Sequence, residues 1–156
     1  MEVTMSEIGT QAPDFSLVDQ YRQQVTLNQY RGKKNVVLSF HILSFTGGWT
    51  DQISLFRAAN SKFEGRDTQV LGISADAGPS QTAYSVSLGN LPYPLLSDFY
   101  PHGEVAKLYG LFNDKNGTSK RAVVIIDKNG VIRVKHIYAK ADDIDISNIL
   151  NDLETI

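Results

Sequence analysis

The sequence predicts an α/β domain in which a mixed central sheet carries helices on both faces. Continuous β-branched and aromatic runs, typical of buried strands, alternate with segments whose apolar residues recur at helical spacing. The order is strand, helix, strand, followed by a hairpin and a last helix, and this order favours a mixed sheet. With 156 residues, the chain fits one domain, residues 1–156.

The N-terminal part of the chain predicts a small hairpin and then a central strand. Residues 15–18 and 24–27 are short apolar segments joined by a polar connection, which indicates a hairpin. Residues 35–41, N-V-V-L-S-F-H, form a nearly continuous apolar run, as expected for a strand that is covered on both faces. Gly47-Gly48 ends this element.

A helix and a second buried strand are predicted next. From residue 49 onward, Ile53, Phe56 and Phe63 recur on one helical face, and Gly65 is a suitable helix stop. The elements that follow are a strand over residues 68–74, a helix over 79–88 with a proline near its first turn, a short strand at 95–96 and a short helix over 102–109.

The C-terminal part predicts a hairpin and a closing helix. Residues 121–127 are a third apolar strand, and Asn129-Gly130 is a strong hairpin turn. Residues 131–138 alternate in polarity, which indicates a half-exposed antiparallel strand. Asp142 or Asp143 is predicted to cap the last helix, whose apolar face consists of Ile146, Ile149, Leu150 and Leu153.

Composition excludes several classes of function. Fifteen Lys and Arg against 17 Asp and Glu leave a net charge of −2, so no basic excess indicates a nucleic-acid partner. No apolar stretch approaches the roughly 20 residues of a membrane span, and the N-terminal residues resemble no signal peptide. We therefore expect a cytoplasmic protein with neither nucleic acid nor membrane as a partner.

The chain contains no cysteine. This excludes disulfides, zinc–thiolate sites, cysteine-ligated iron–sulfur clusters and any thiol nucleophile. The three histidines, His41, His102 and His136, lack the close spacing of metal ligands, so we expect them in surface or half-buried positions. No metal and no cofactor is predicted.

Several strings, in order, resemble the peroxiredoxins of the AhpC/TSA family. G-T-Q-A-P-D-F at residues 9–15 is similar to the family's opening motif, and R-A-V at 121–123 is similar to the block that carries its active-site arginine. S-D-F-Y-P-H-G-E-V-A-K at 97–107 resembles the one-cysteine, AhpE-like branch. The resemblance implies a thioredoxin-like fold, a hydroperoxide and a thiol reductant as substrates, and a homodimer built around loops that flank the active site. Apolar loop residues that fit such an interface are Leu43, Phe45 and Tyr100.

The active-site motif departs from the family pattern Pro-x-x-x-Thr/Ser-x-x-Cys. Residues 42–49 are I-L-S-F-T-G-G-W, so Ile42 replaces the proline and Trp49 replaces the peroxidatic cysteine. Thr46 and Arg121 stand at the family's threonine and arginine positions. Gly47 and Gly48, which lie between Thr46 and Trp49, are candidate binding residues together with Ile42. An indole forms no comparable nucleophilic anion near neutral pH, so we expect peroxidase activity to be absent or residual.

Alternatives remain open at this point. Ile42 favours natural divergence, because a single engineered substitution would leave the proline in place; a laboratory Cys-to-Trp variant of a one-cysteine peroxidase is the other origin. Thr46 and Arg121 are interpreted either as a retained anion pocket of a binding module, or as relic geometry in which Arg121 pairs with an acid and Thr46 caps a helix. Gln52 is interpreted as an exposed helix residue.

Overall fold

The computed structural model describes residues 7–45 and 52–156. In chain order its strands and helices are β1 Ser16–Val18, β2 Gln24–Thr26, β3 Asn35–Phe40, α1 Gln52–Glu64, β4 Thr68–Ser74, α2 Gly78–Ser87, β5 Leu95–Ser97, α3 Glu104–Leu108, β6 Phe112–Asn113, β7 Thr118–Ser119, β8 Ala122–Ile126, β9 Ile132–Ile137 and α4 Ile146–Glu154.

Seven of these strands form one mixed sheet in the order β2-β1-β5-β4-β3-β8-β9. β3, β4 and β5 run parallel, whereas β8 pairs with β3 in the antiparallel direction, with Phe40 opposite Ala122. The carboxyl ends of the three parallel strands and the start of β8 therefore meet at one edge of the sheet. We call it the carboxyl edge.

The core lies on both faces of the sheet, because β3 and β8 send alternate side chains to opposite sides. Val36, Leu38 and Phe40 pack in the cluster that also contains Tyr109, at the end of α3. Val37 packs in the cluster that holds the apolar faces of α1 and α4. This arrangement confirms the predicted α/β sheet with helices on both faces, and it explains why β3 reads as a continuous apolar run.

Two details at the C-terminal side of the molecule differ from the predictions. The cap of α4 is Asp145, whose Oδ1 accepts a hydrogen bond from the Ser147 amide at 2.9 Å. Asp142 and Asp143 instead lie in a short 3₁₀ turn before it, so the prediction that one of them caps the helix was wrong. The small β6–β7 hairpin was not predicted, because two-residue strands leave no periodicity to detect.

Four of the predicted site residues, Thr46, Gly47, Gly48 and Trp49, lie outside the described residues. The predicted start of the first helix at residue 49 lies there too. Within residues 7–45 and 52–156, no helix combines the length and the apolar character that crossing a membrane requires.

Candidate functional site

Polar side chains concentrate at the carboxyl edge of the sheet. His41 follows β3 directly, Asp76 follows β4 by two residues, and Arg121 precedes β8. Because Phe40 pairs with Ala122, Arg121 stands opposite His41. Open α/β sheets commonly bind ligands at this edge, outside the carboxyl ends of their strands. The predicted site residue Arg121 is therefore held where a ligand site of this fold class is expected.

His41 is 3% exposed, so the prediction that the histidines occupy surface or half-buried positions was wrong for this one. Its Nε2 lies 3.3 Å from Ser44 Oγ and 3.9 Å from Asp76 Oδ2. Burial lowers the pKa of His41 to about 4, and the Arg121 guanidinium adds to this, whereas the Asp76 carboxylate opposes it. His41 is consequently neutral at physiological pH.

A hydrogen-bond network surrounds His41 and connects three strand ends. The Ser44 amide donates to Asp76 Oδ2 at 2.8 Å, and the Ser44 hydroxyl donates to Gln81 Oε1 at 2.8 Å. Gln81 Nε2 donates in turn to Ser74 Oγ at 2.7 Å, and the Ser74 hydroxyl donates to Asp76 Oδ2 at 2.6 Å. Since buried polar groups are costly when unpaired, this network fixes the loop after β3 against β4 and α2.

The serine, histidine and aspartate of this network do not form a catalytic triad. Both Ser44 and Asp76 approach the same imidazole nitrogen, whereas a triad places them on opposite nitrogens. The Ser44 hydroxyl also gives its only proton to Gln81, so Ser44 Oγ accepts from His41 Nε2. The geometry therefore supports a positioning role for these residues.

Gln52 is 2% exposed, and its interpretation as an exposed helix residue was wrong. Its Nε2 donates to Ser39 Oγ at 2.8 Å and to the Phe40 carbonyl at 2.9 Å, which attaches the start of α1 to the end of β3. The sequence contained a signal for this burial, because Gln52 lies one helical turn before Phe56 on the buried face. Its other amide atom, Oε1, is buried with no hydrogen-bond partner among the described residues.

Arg121 is partly buried, and its Nε likewise has no partner among the described residues. The only hydrogen bond of its side chain within the described part of the chain is a long one of 3.5 Å from Nη1 to the Ala139 carbonyl. The ion pairs between described residues do not include Arg121, so the interpretation that pairs it with an acid finds no support there. The described residues also contain no group of acidic and histidine side chains arranged to hold a metal ion.

Ile42, the other described residue of the predicted site, is half-buried next to His41. Two segments after β3 and β5 expose apolar side chains that we together call the aromatic patch: Leu43, Phe45, Phe99 and Tyr100, which are 36%, 59%, 51% and 76% exposed. Ser44 and Ser97, which border its two halves, both bond to Asp76. The patch therefore lies at the carboxyl edge as well.

Comparison with known proteins identifies the family. A family model described as AhpC/TSA matches residues 8–135. The chain belongs to the AhpC/TSA family. It is 42% identical to alkyl hydroperoxide reductase E of Mycobacterium tuberculosis over 129 residues, 83% of this chain and 84% of that protein. It is 38% identical to the chloroplastic 2-Cys peroxiredoxin BAS1 of Arabidopsis thaliana over 135 residues, 81% of this chain and 50% of that longer protein.

Solved structures of the same family share the fold. Peroxidoxin BcpB from Mycobacterium tuberculosis superposes with a TM-score of 0.86 at 27% identity, and the match covers 97% of this chain and 98% of that one. Mycobacterium tuberculosis AhpC superposes with a TM-score of 0.84 at 26% identity over 97% of this chain and 93% of that one. The predicted thioredoxin-like fold is thereby confirmed. The relatives are peroxiredoxins and an alkyl hydroperoxide reductase, whereas this AhpC/TSA chain has no cysteine at any position.

Proposed function

We propose that this AhpC/TSA protein does not reduce hydroperoxides and is a pseudoenzyme of the peroxiredoxin family. The observation that carries the proposal is the absence of cysteine from all 156 residues, with Trp49 at the position that the family motif gives to the peroxidatic thiol. Peroxide reduction in this family requires a thiolate that attacks the peroxide and becomes a sulfenic acid. The neutral, buried His41 and the hydroxyl of Ser44 supply no such nucleophile.

Peroxide turnover tests this proposal directly. The purified protein, incubated with hydrogen peroxide or an alkyl hydroperoxide and excess dithiothreitol, is expected to consume peroxide no faster than buffer. Trp49→Cys restores the family nucleophile, and a thiol-dependent rate is expected to appear because Arg121 is still positioned at the edge. Trp49→Ser is the matched control, since it makes the same space without a thiol. A saturable rate in the unmodified protein would refute the proposal.

A second candidate function is binding without turnover, through a retained anion pocket. Two buried and complementary atoms support it: Arg121 Nε is a donor and Gln52 Oε1 an acceptor, and neither has a partner among the described residues. A small ligand that both accepts and donates, such as a protonated carboxylic acid or a monoanionic oxyacid, satisfies both atoms. Titration with phosphate, whose monoanion both donates and accepts, followed by amide chemical shifts, should show saturation that Arg121→Gln removes and that Arg133→Gln, at an exposed strand position, leaves intact.

The partner surface of such a module is the aromatic patch, and a second copy of the chain is the partner that the family resemblance implies. Exposed aromatic side chains of this size bury about 150–250 Å² each when covered. A monomer rarely exposes several of them together. The homodimer therefore belongs to the proposal, and its test is given among the predictions below.

A further inference from the structure

The loop after β3, residues 41–45, is tied down at both of its ends. At its start, the His41 amide donates to the Ile73 carbonyl at 3.0 Å, and the His41 carbonyl accepts from Ser119 Oγ at 3.0 Å. Near its end, the Ser44 amide donates to Asp76 Oδ2 at 2.8 Å. The backbone of His41 is therefore fixed on both sides. At Ser44 the backbone amide depends on the Asp76 carboxylate alone, whereas the hydroxyl is held separately by Gln81.

The Ser44–Asp76 tie holds a strained and exposed residue in place. Phe45 has a φ of 63°, in the left-handed region that non-glycine residues seldom adopt. Its ring is 59% exposed and makes an edge contact with Tyr84 at a centroid distance of 4.6 Å. Because this conformation is costly by itself, it persists only while neighbouring contacts maintain it.

Two charged groups face the His41 imidazole among the described residues. The Asp76 carboxylate approaches Nε2 from the loop after β4, and the Arg121 guanidinium stands opposite at the start of β8. The side chains that hydrogen-bond to His41 or to Ser44 from other elements, Gln81 of α2 and Ser119 of β7, are uncharged. Nδ1 has no hydrogen-bond partner among the described residues, so it is the free site for a second proton.

We propose that His41 and Asp76 form a proton-operated latch on this loop. A proton from solvent binds His41 Nδ1, and the resulting imidazolium draws the Asp76 carboxylate from the Ser44 amide to Nε2. The exchange is favourable because a hydrogen bond between two charged groups is stronger than one from a neutral amide. Among the described residues, Asp76 is also the only negative charge that acts on the His41 ring. Once its amide is released from Asp76, Ser44 is held only by its hydroxyl bond to Gln81 among the described residues, and the backbone that leads into the Phe45 turn is less constrained.

The latch is closed at neutral pH and opens under acid conditions. Burial lowers the pKa of His41 to about 4, so the imidazolium becomes populated only as the pH approaches that value. The expected consequence is that acidification frees Phe45 from Tyr84 and changes the aromatic patch while the sheet stays folded. The rest of the network, from Gln81 to Ser74, need not change.

Amide hydrogen exchange of Ser44 tests the latch, since this amide is the one that loses its acceptor. Between about pH 7 and about pH 4.5, its protection factor is expected to fall by roughly tenfold or more, the amount expected for loss of a hydrogen bond to a charged group. The amide of Val124, in the centre of β8, serves as an internal reference for global unfolding and is expected to keep its protection.

Two variants separate the latch from a general acid effect. His41→Gln keeps a polar atom near the position of Nε2 but cannot take a proton. Asp76→Asn keeps an acceptor for the Ser44 amide but has no negative charge for an imidazolium to attract. Each should abolish the pH-dependent loss of protection at Ser44, so either one suffices if the other fails to fold. Either of two results would overturn the proposal. The first is a folded variant in which the Ser44 amide still loses protection in acid. The second is a parent protein whose Ser44 amide keeps its protection at a pH where the ring carbon shifts show that His41 is protonated.

Discussion

Replacing His41 with glutamine is expected to remove a large part of the acid sensitivity of the fold. The pKa of this buried imidazole is about 4 in the folded protein, against a reference value of 6.5 for an unperturbed histidine. The unfolded chain therefore binds a proton more tightly than the folded protein, and the stability from this group falls as the pH drops from about 6.5 to about 4. Each pKa unit corresponds to about 1.4 kcal/mol, so the full loss is about 3 kcal/mol.

The measurement is urea unfolding of the parent protein and of His41→Gln at a series of pH values across this window. The difference between the two free energies of unfolding should shrink by about 3 kcal/mol from neutral to acid pH, because only the parent protein loses this contribution. Burial raises the pKa of Asp98, which gives a pH dependence of the opposite sign, but both proteins contain Asp98, so its effect cancels in the difference. A constant difference at all pH values would refute the argument.

His102→Gln is the control for this experiment. His102 is exposed, and its ring contacts Phe99 and Tyr100 rather than the buried network around His41. Its backbone φ of 56° gives any replacement an energetic cost, but that cost does not depend on pH. The control therefore separates the effect of the buried His41 from the effect of replacing a histidine outside that network.

Two further predictions concern packing and assembly. Gly103→Ala should destabilise the fold by about 2–4 kcal/mol, because Gly103 has a φ of +80° and an added Cβ would lie 2.5 Å from the Phe112 ring. Gly117→Ala, at a φ of +70° with open space around it, should cost only about 1 kcal/mol in the same unfolding assay, and equal costs would contradict the packing argument. The parent protein should sediment as a dimer at micromolar concentration, and Tyr100→Ser should shift it towards the 17.3 kDa monomer, whereas Tyr21→Ser, at an exposed tyrosine of the β1–β2 turn, should not. A parent protein that sediments only as the monomer would contradict the proposed interface.

The sequence predicted the sheet well because its strands are covered on both faces. β3 and β4 show no helical periodicity that competes with their apolar runs. The runs therefore indicate both that these segments are strands and where the strands begin and end. The predicted positions of α2 and β9 agree with the structure to within about two residues, the usual uncertainty of helix and strand ends. The β6–β7 hairpin was missed because its two-residue strands leave no periodicity, and the cap of α4 was missed because it depends on one hydrogen bond, from the Ser147 amide to Asp145.

The candidate site was predictable only in part, for a different reason. Arg121 was identified through its family motif, but Ser44, Asp76 and Gln81 were not, because their roles depend on which strand ends become neighbours. The spacing of polar residues after successive apolar strands, at His41, Asp76 and Asp98, was the available signal. It becomes informative only once the three strands are known to run parallel.

A polar residue near a lost nucleophile is retained either because it stabilises the packing or because it binds a ligand. The hydrogen bonds of individual atoms distinguish the two explanations. Gln52 Nε2 bonds to Ser39 and to the Phe40 carbonyl, so the packing of α1 on β3 is sufficient to explain why a polar residue is needed there. The same packing gives no role to Gln52 Oε1 or to Arg121 Nε, and neither atom has a hydrogen-bond partner in residues 7–45 or 52–156. Leaving a buried donor or acceptor unpaired costs about 1–3 kcal/mol of folding free energy for each atom. If these residues had only a structural role, replacing them with apolar residues would remove that cost and stabilise the fold. A ligand that pairs both atoms removes that cost, and this is the argument for titrating the carboxyl edge with small acids before treating the protein as functionless.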